Sequence, residues 1–548
     1  MDKNFPMLVS PKLSWIGFFS LLLLTACQKG ENYSEHKISW YIQQIDEATD
    51  YQKSYEQEYF YLNQLGEFCK KDSRDCPSVL LAKGILLFKT AYYDSALLVL
   101  DRHQDALSES GSNTYERSLG NYYRAATYTF KGSFQKAFPI IQALLRKTEN
   151  KNNRNDSSLY ASSLFTLGVG YSNPAEGKMD SALICLRRAS HFQAEIWGAK
   201  SEQLGKSLNF LAQAFLLVQA CDSSEYYYLK AIDTYQQLAQ EKQNDLWVSY
   251  NGLASVMIAG YCKRNDYARA LNLLHQAVSI SDSLADNNPN KVVPYASRGR
   301  LYQAIGDYYS AIENYKLALS DDLQHPNYPI LLSNIGAAFA SMEDYPQAIS
   351  YFRSALSYPK AGGVFRAFWL NNLSTAFIGL GEIDSAKIYV KKADAFKDIV
   401  SRVFQSEATE FHALLYTNYG ELYRKLEDYP LAESYYQKAL KVRQESQDAN
   451  ISLTYQKLGE IYRVQKMPEQ AFAFYHKGLT SIGLSKSQVA KPDPLNLDQP
   501  WLQRPLYLLL SSLAKNWELK YQEEASLSSL EKAYEHYSYS LQIVDSML

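Results

Sequence analysis

The strongest constraint on the fold is a stretch of sequence that the chain repeats. Residues 342–356 read MEDYPQAISYFRSAL, and residues 426–440 read LEDYPLAESYYQKAL, with nine of fifteen letters identical. Each copy holds an alanine, an aromatic residue four positions later and an alanine three positions further on, a spacing that places all three on one helical face. A chain built this way is expected to stack copies of one unit, so its 548 residues need not form several globular domains.

A second pattern recurs about twelve residues before the first alanine of each copy. It is a small residue followed three positions later by an aromatic one, at Gly299/Tyr302, Gly336/Phe339, Gly420/Tyr423 and Gly459/Tyr462. Each unit is therefore predicted to be two helices joined by a short turn. Pro346, Pro430 and Pro468 are expected at the first position of the second helix, where the missing N–H costs nothing.

This double pattern resembles the tetratricopeptide repeat. Weaker copies extend it both ways, with the first-alanine position at Ala96, Ala137, Ala182, Ser224, Ala270, Ala311, Ala348, Ala386, Ala432, Ala471 and Ala533. The resemblance implies an all-α, right-handed superhelical solenoid of about eleven helix pairs. Successive first alanines are mostly 37 to 46 residues apart, more than the 34 of the family, so longer helices or linkers are expected.

The quality of the repeats suggests a division of the chain. We expect degenerate units over 38–290, well-formed units over 291–484, a linker over 485–505 and a last unit over 506–548. The last unit ends with an apolar helix and no polar cap, which solenoids normally carry. It also resembles the repeat that precedes a CHAT protease domain, and no residues follow that could form that domain.

The N-terminus reads as a lipoprotein signal. Two lysines precede an apolar run over 15–24, which leads into Thr25, Ala26 and Cys27. This LTAC segment resembles the bacterial lipobox, which implies a signal peptide over 1–26, acylation of Cys27 and a tether over 27–37. By resemblance to lipoprotein sorting, Gln28 favours the outer membrane. No later apolar stretch is long enough to span a bilayer.

The other cysteines allow one local bridge. Cys69 and Cys76 flank a polar stretch, and an oxidising envelope would permit a disulfide between them. Cys185, Cys221 and Cys262 lie in apolar helical stretches and are expected to be small buried residues. No cysteine or histidine spacing indicates a metal site.

Charge and motifs argue against several classes of function. The formal net charge is −2 and no block of five like charges occurs, so nucleic-acid binding is not indicated. The chain holds no nucleophile-elbow, P-loop or dinucleotide-binding motif, and we predict no enzyme activity and no cofactor. The Glu343-Asp344 and Glu427-Asp428 pairs are interpreted as turn residues that favour a helix start.

The resemblance also implies a groove lined by the first helices, which in that family holds a protein or peptide. Asn334, Asn372 and Asn418 each lie two residues before a small residue, and their amides could hydrogen-bond a peptide backbone. Glu421, Arg424 and Arg463 are expected nearby. Alternatively, asparagine at this place serves the repeat itself.

Three functional hypotheses follow. The leading one is a non-enzymatic envelope lipoprotein that binds another protein as a scaffold. The second is the sensor arm of a truncated or split protease system of the CHAT type. The third is a nutrient-binding outer-membrane lipoprotein of the SusD type, which the near-continuous repeats disfavour.

Overall fold

A computed structural model describes residues 77–547, apart from 90–91, 111–113, 150–152, 174–175, 239–244, 260–261, 263–265, 284–291, 320–327, 359–362, 404, 447–449 and 485–499. The described residues form α-helices and short turns, with no β-strand among them. The all-α prediction is therefore confirmed. The signal segment with Cys27, and the pair Cys69 and Cys76, lie outside the described residues.

The chain forms two compact units. The first contains α1 (Pro77–Lys89), α2 (Tyr93–Ser110), α3 (Thr114–Phe130), α4 (Phe134–Thr148), α5 (Arg154–Tyr171) up to Gly170, and the part of α6 (Met179–Trp197) from Arg188 onward. The second contains residues 171–187 and all later helices. These are α7 (Glu202–Leu217), α8 (Cys221–Gln236), α9 (Leu246–Ile258), α10 (Tyr267–Ser283), α11 (Val292–Ile305), α12 (Tyr308–Ala318), α13 (Tyr328–Ser341), α14 (Tyr345–Ser357), α15 (Gly363–Leu380), α16 (Ile383–Asp394), α17 (Lys397–Val403), α18 (Gln405–Lys425), α19 (Tyr429–Glu445), α20 (Ile451–Val464), α21 (Pro468–Ser481), α22 (Pro500–Glu524) and α23 (Leu527–Met547).

Within each unit the helices pack as consecutive pairs, such as α18 with α19 and α20 with α21. Each of the eleven first-alanine positions lies on a second helix and is at most 3% exposed. These positions are small because two helices pack closely against each other there. The short helix α17 lies between α16 and α18, and it accounts for the long spacing between Ala386 and Ala432.

In several pairs the small residue of the first helix receives an aromatic ring of the second helix. A Cβ atom on Gly420 would lie 2.5 Å from Cε1 of Tyr436, and one on Gly459 would lie 2.4 Å from Cε1 of Tyr475. In the α15/α16 pair a serine takes this position, and its hydroxyl donates to the Ala386 carbonyl oxygen at 3.1 Å. The hydroxyl is buried, so this bond removes the cost of its desolvation.

In four pairs the aromatic residue of the first helix stacks on a ring of the second helix. Ring centroids lie 5.3 to 5.5 Å apart, with interplanar angles of 8° to 17°, in Phe339/Tyr351, Phe377/Tyr389, Tyr423/Tyr435 and Tyr462/Phe474. Such stacked rings add about 0.5 to 1.5 kcal/mol to their burial. They are one reason for the high tyrosine content of 45 residues.

The repeated turn has a consistent construction. The Asp428 carboxylate accepts a hydrogen bond from the Leu431 backbone N–H at 3.2 Å, so the aspartate is the N-cap of the second helix. The preceding Glu427 has φ +60°, the left-handed region that costs a residue with a side chain about 1 kcal/mol. Both acids are thus turn residues. Pro468 begins its helix as predicted, whereas Pro346 and Pro430 are second residues, where the backbone N–H is also left unpaired.

The expectation for two of the cysteines was wrong. Cys221 at the start of α8 and Cys262 after α9 form a disulfide, with their Cα atoms 5.6 Å apart and a sequence separation of 41. Cys221 begins α8 and Cys262 lies beyond the end of α9, so the stacking of two neighbouring pairs brings together residues that the sequence had placed in separate apolar stretches. Cys185 is half-buried.

Across the part of the chain that is described, no helix is long and apolar enough to cross a membrane.

Candidate functional site

Polar side chains recur at two places on the first helices of the second unit. One place is two residues before the small residue, and the other directly follows it. We call eight of the polar side chains at these places, on α13, α15, α18, α20 and α22, the polar row: Asn334, Asn372, Thr375, Asn418, Glu421, Lys457, Glu460 and Ser512. Because residues three apart face the same side of a helix, the two places share one face.

Asn418 joins two first helices. Its side chain is buried, and its amide nitrogen donates to Oγ1 of Thr375 at 2.8 Å and to the carbonyl oxygen of Asn371 at 2.9 Å. Thr375 and Asn371 both belong to α15, while Asn418 belongs to α18. The structure therefore gives the Asn418 amide a packing role between neighbouring pairs.

Glu421 makes the corresponding link between α18 and α20. Its carboxylate lies 2.7 Å from Nζ of Lys457 and 2.8 Å from Nη2 of Arg424. Burial alone would raise the pKa of this carboxyl, but the Lys457 ammonium and the Arg424 guanidinium outweigh it and lower the pKa to about 2. Glu421 is therefore ionised at neutral pH.

The same arrangement recurs one pair later. Nη2 of Arg463 lies 2.7 Å from the Glu460 carboxylate, which also accepts a hydrogen bond from the Tyr475 hydroxyl at 2.7 Å. Burial raises the pKa of Glu460, and the Arg463 and Tyr475 bonds reverse that shift, so the net pKa is lowered. Arg424 and Arg463 thus each form an ion pair with the glutamate three residues earlier on the same helix.

Asn334 and Asn372 are different. Both are half-exposed, and their side-chain amides have no hydrogen-bond partner among the described residues. The position on α13 that would face Asn372 holds Ala337 instead of a polar residue. On α11 the equivalent Arg300 donates to Ser297 Oγ at 3.1 Å. Two amides on the adjacent helices α13 and α15 are therefore open to a ligand.

Sequence reasoning named Glu421, Arg424 and Arg463 but missed Glu460 and Lys457. The sequence held a signal for Glu460. In both α18 and α20 a glutamate directly follows the small residue, and an arginine stands three positions after the glutamate. The Lys457 contact carried no such signal, since it depends on how two pairs stack.

The described residues contain no cluster of three or more His, Cys, Asp or Glu side chains that could hold a metal ion. The polar row offers hydrogen-bond donors, acceptors and paired charges. Most of these groups are engaged in contacts within and between helix pairs, and the amides of Asn334 and Asn372 are the exceptions.

Comparison with known proteins identifies the repeat. Tetratricopeptide repeat family models match residues 294–322 and 411–481. The chain thus carries tetratricopeptide repeats, as its sequence predicted, and the class it represents is a repeat scaffold that typically mediates protein interaction. The last unit falls outside both matches, and its resemblance to repeats that precede a CHAT domain stays a prediction.

Similarity to individual proteins is distant. No curated protein matches the chain. Among solved structures, the apo form of RapI is 14% identical, with 68% of this chain and 98% of that chain covered and a TM-score of 0.49. A Rap protein complexed with competence and sporulation factor is 15% identical, covering 63% and 99%, with a TM-score of 0.41. A tetratricopeptide repeat protein from Parabacteroides merdae is 17% identical, covering 52% and 96%, with a TM-score of 0.37. Similarity at this level carries no information on function.

Proposed function

We propose that this protein is a non-enzymatic scaffold of the bacterial cell envelope, anchored by lipid at Cys27, whose tetratricopeptide repeats bind another protein or peptide. The observation that carries the binding part is the pair of open amides at Asn334 and Asn372. They lie on neighbouring first helices, on the face that α18, α20 and α22 use for polar contacts between pairs.

The two amides suit an extended peptide backbone. Each amide offers donors and an acceptor, and an extended segment presents backbone N–H and C=O groups that need such partners. Helices α13 and α15 are in contact, so one extended segment that crosses both helices meets both amides. Asn334 and Asn372 would then bind two peptide groups of one ligand segment.

The envelope location rests on two supporting observations. The N-terminal segment has the order of charged, apolar and small residues followed by Cys27 that a lipoprotein signal requires. The Cys221–Cys262 disulfide suits an oxidising compartment outside the cytosol. The residue after Cys27, Gln28, favours the outer membrane over the inner membrane.

The binding site is tested with Asn334→Ala/Asn372→Ala in the full-length protein. This variant should lose its crosslinked partner while its helical circular dichroism and unfolding midpoint stay unchanged. Gln347→Ala/Gln437→Ala is the matched control, because it removes two exposed amides from second helices. Equal partner recovery from all three proteins would contradict the proposed site.

The anchor is tested separately with Cys27→Ser. The protein should move from the membrane fraction to the soluble fraction and lose its acyl mass. A variant that still fractionates as a lipidated membrane protein would rule out Cys27 as the attachment site.

A further inference from the structure

The helix pairs of the second unit cover one another, and the pair α20/α21 shows how. Leu479 of α21 is 0% exposed, since Leu506 and Leu509 of the following helix α22 pack in the same cluster. Phe472 of α21 is also buried, and its ring centroid lies 4.3 Å from that of Trp517 on α22. The outer face of a second helix is thus occupied by the next first helix.

The equivalent face of α23 is exposed. Tyr534 corresponds to Phe472 and Leu541 to Leu479, because each stands at the same distance from its first alanine, yet Tyr534 is 76% exposed and Leu541 is 63% exposed. Leu527 and Leu530 are exposed as well. We call these four residues the terminal stripe. They recur at i, i+3, i+7 and i+14, so they lie along one side of α23.

The terminal stripe is bordered by acidic side chains. Glu531 and Glu535 lie one turn apart along one edge of it, and neither has an ion-pair partner among the described residues. Like charges at this spacing destabilise a helix by a few tenths of a kcal/mol, and a basic partner would remove that cost. Lys532 is directed to the other side of the helix, where its Nζ lies 4.3 Å from the Trp517 ring centroid.

We propose that the terminal stripe docks an amphipathic α-helix of a partner protein that has a leucine-like apolar side and a basic edge. The apolar side would cover Tyr534 and Leu541 as α22 covers Phe472 and Leu479. Its lysines or arginines would lie against Glu531 and Glu535. This acidic edge disfavours a second copy of the chain, since two such faces would bring their glutamates together. The surface is separate from the polar row.

The test uses a fluorescent synthetic peptide of 21 residues, with leucine at heptad positions a and d and lysine at e and g, added to the full-length protein in detergent. Fluorescence anisotropy should show saturable binding. Tyr534→Lys/Leu541→Lys should weaken it at least tenfold. The matched control, Tyr309→Lys/Leu317→Lys, alters two side chains of α12 that are 74% and 60% exposed, and it should bind as the unchanged protein does.

A second experiment tests the contribution of charge. The same peptide with glutamate at e and g should bind at least tenfold more weakly, and Glu531→Gln/Glu535→Gln should reduce that difference. Equal binding of the two peptides, or equal loss in the stripe variant and the α12 control, would overturn the proposal. So would a dimer in sedimentation that Tyr534→Lys/Leu541→Lys abolishes, since a second copy would then occupy the stripe. Asn334→Ala/Asn372→Ala should bind the peptide normally, which separates this test from that of the polar row.

Discussion

Removing the disulfide between Cys221 and Cys262 should destabilise one region of the second unit. The bridge joins residues 41 apart, and it ties the start of α8 to the connection after α9. Closing a loop of that length reduces the entropy of the unfolded chain by an amount worth about 4 kcal/mol at 25 °C. Because the stability of a repeat array is a sum of local terms, the loss should fall on the helix pairs α7/α8 and α9/α10.

Hydrogen exchange measured by mass spectrometry gives the required local resolution. In Cys221→Ala/Cys262→Ala, amide protection in α8 and α10 should fall by up to about a thousandfold, since each 1.4 kcal/mol is a factor of ten. Protection in α20 and α21 should not change. Adding a reductant to the unaltered protein should reproduce the same pattern.

Two controls make the experiment decisive. Cys185→Ala should keep the sensitivity of α8 and α10 to reductant, because Cys185 is not part of the bridge. The double alanine variant should be insensitive to reductant. Equal protection of α8 and α10 in the oxidised and the reduced protein would refute the loop-entropy reasoning.

Three further predictions concern the repeat and its core. Glu427→Gly should raise the free energy of unfolding by about 1 kcal/mol in urea titrations, since φ at this position is +60°; Gly306→Ala, at φ +89°, should have the opposite sign. Gly459→Ala should lower it by about 1 to 3 kcal/mol, because the added Cβ meets the Tyr475 ring. Burial lowers the pKa of His103 to about 4, and the nearby arginines add to the shift. As the pH falls, this histidine is therefore protonated in the unfolded chain before it is protonated in the folded one. The contribution of His103 to the stability of the first unit should be constant above pH 6.5 and fall by up to roughly 3 kcal/mol by pH 4. His103→Leu should remove this part of the pH dependence in urea titrations at a series of pH values.

The sequence predicted the repeat because the repeat is a local pattern. An alanine that must lie against a neighbouring helix recurs at helical spacing, and all eleven positions proved buried. The turn was predictable from the sequence for the same reason, since Asp428 caps the helix that directly follows it. These features involve residues that lie within one helix pair.

The contacts between pairs were not predictable in this way. Asn418 bonds to Asn371, 47 residues earlier, and which amides remain open depends on whether the facing position is polar, as in Thr375, or apolar, as in Ala337. The disulfide was missed because each cysteine stands in an apolar context that also suits a buried residue. Tyr534 and Leu541 are exposed because none of the described helices packs on α23 as α22 packs on α21, and the sequence had indicated this apolar last helix without a polar cap.

The central claim is that the first helices of the second unit bind a protein or peptide. It is tested most directly by placing a photo-crosslinking amino acid at Asn372 on α15, or at the exposed Ile388 on α16, and irradiating the protein in its own membranes. We predict a discrete crosslinked partner from position 372 and none from position 388. Equal crosslinking at both positions, or crosslinking from position 388 alone, would contradict the account.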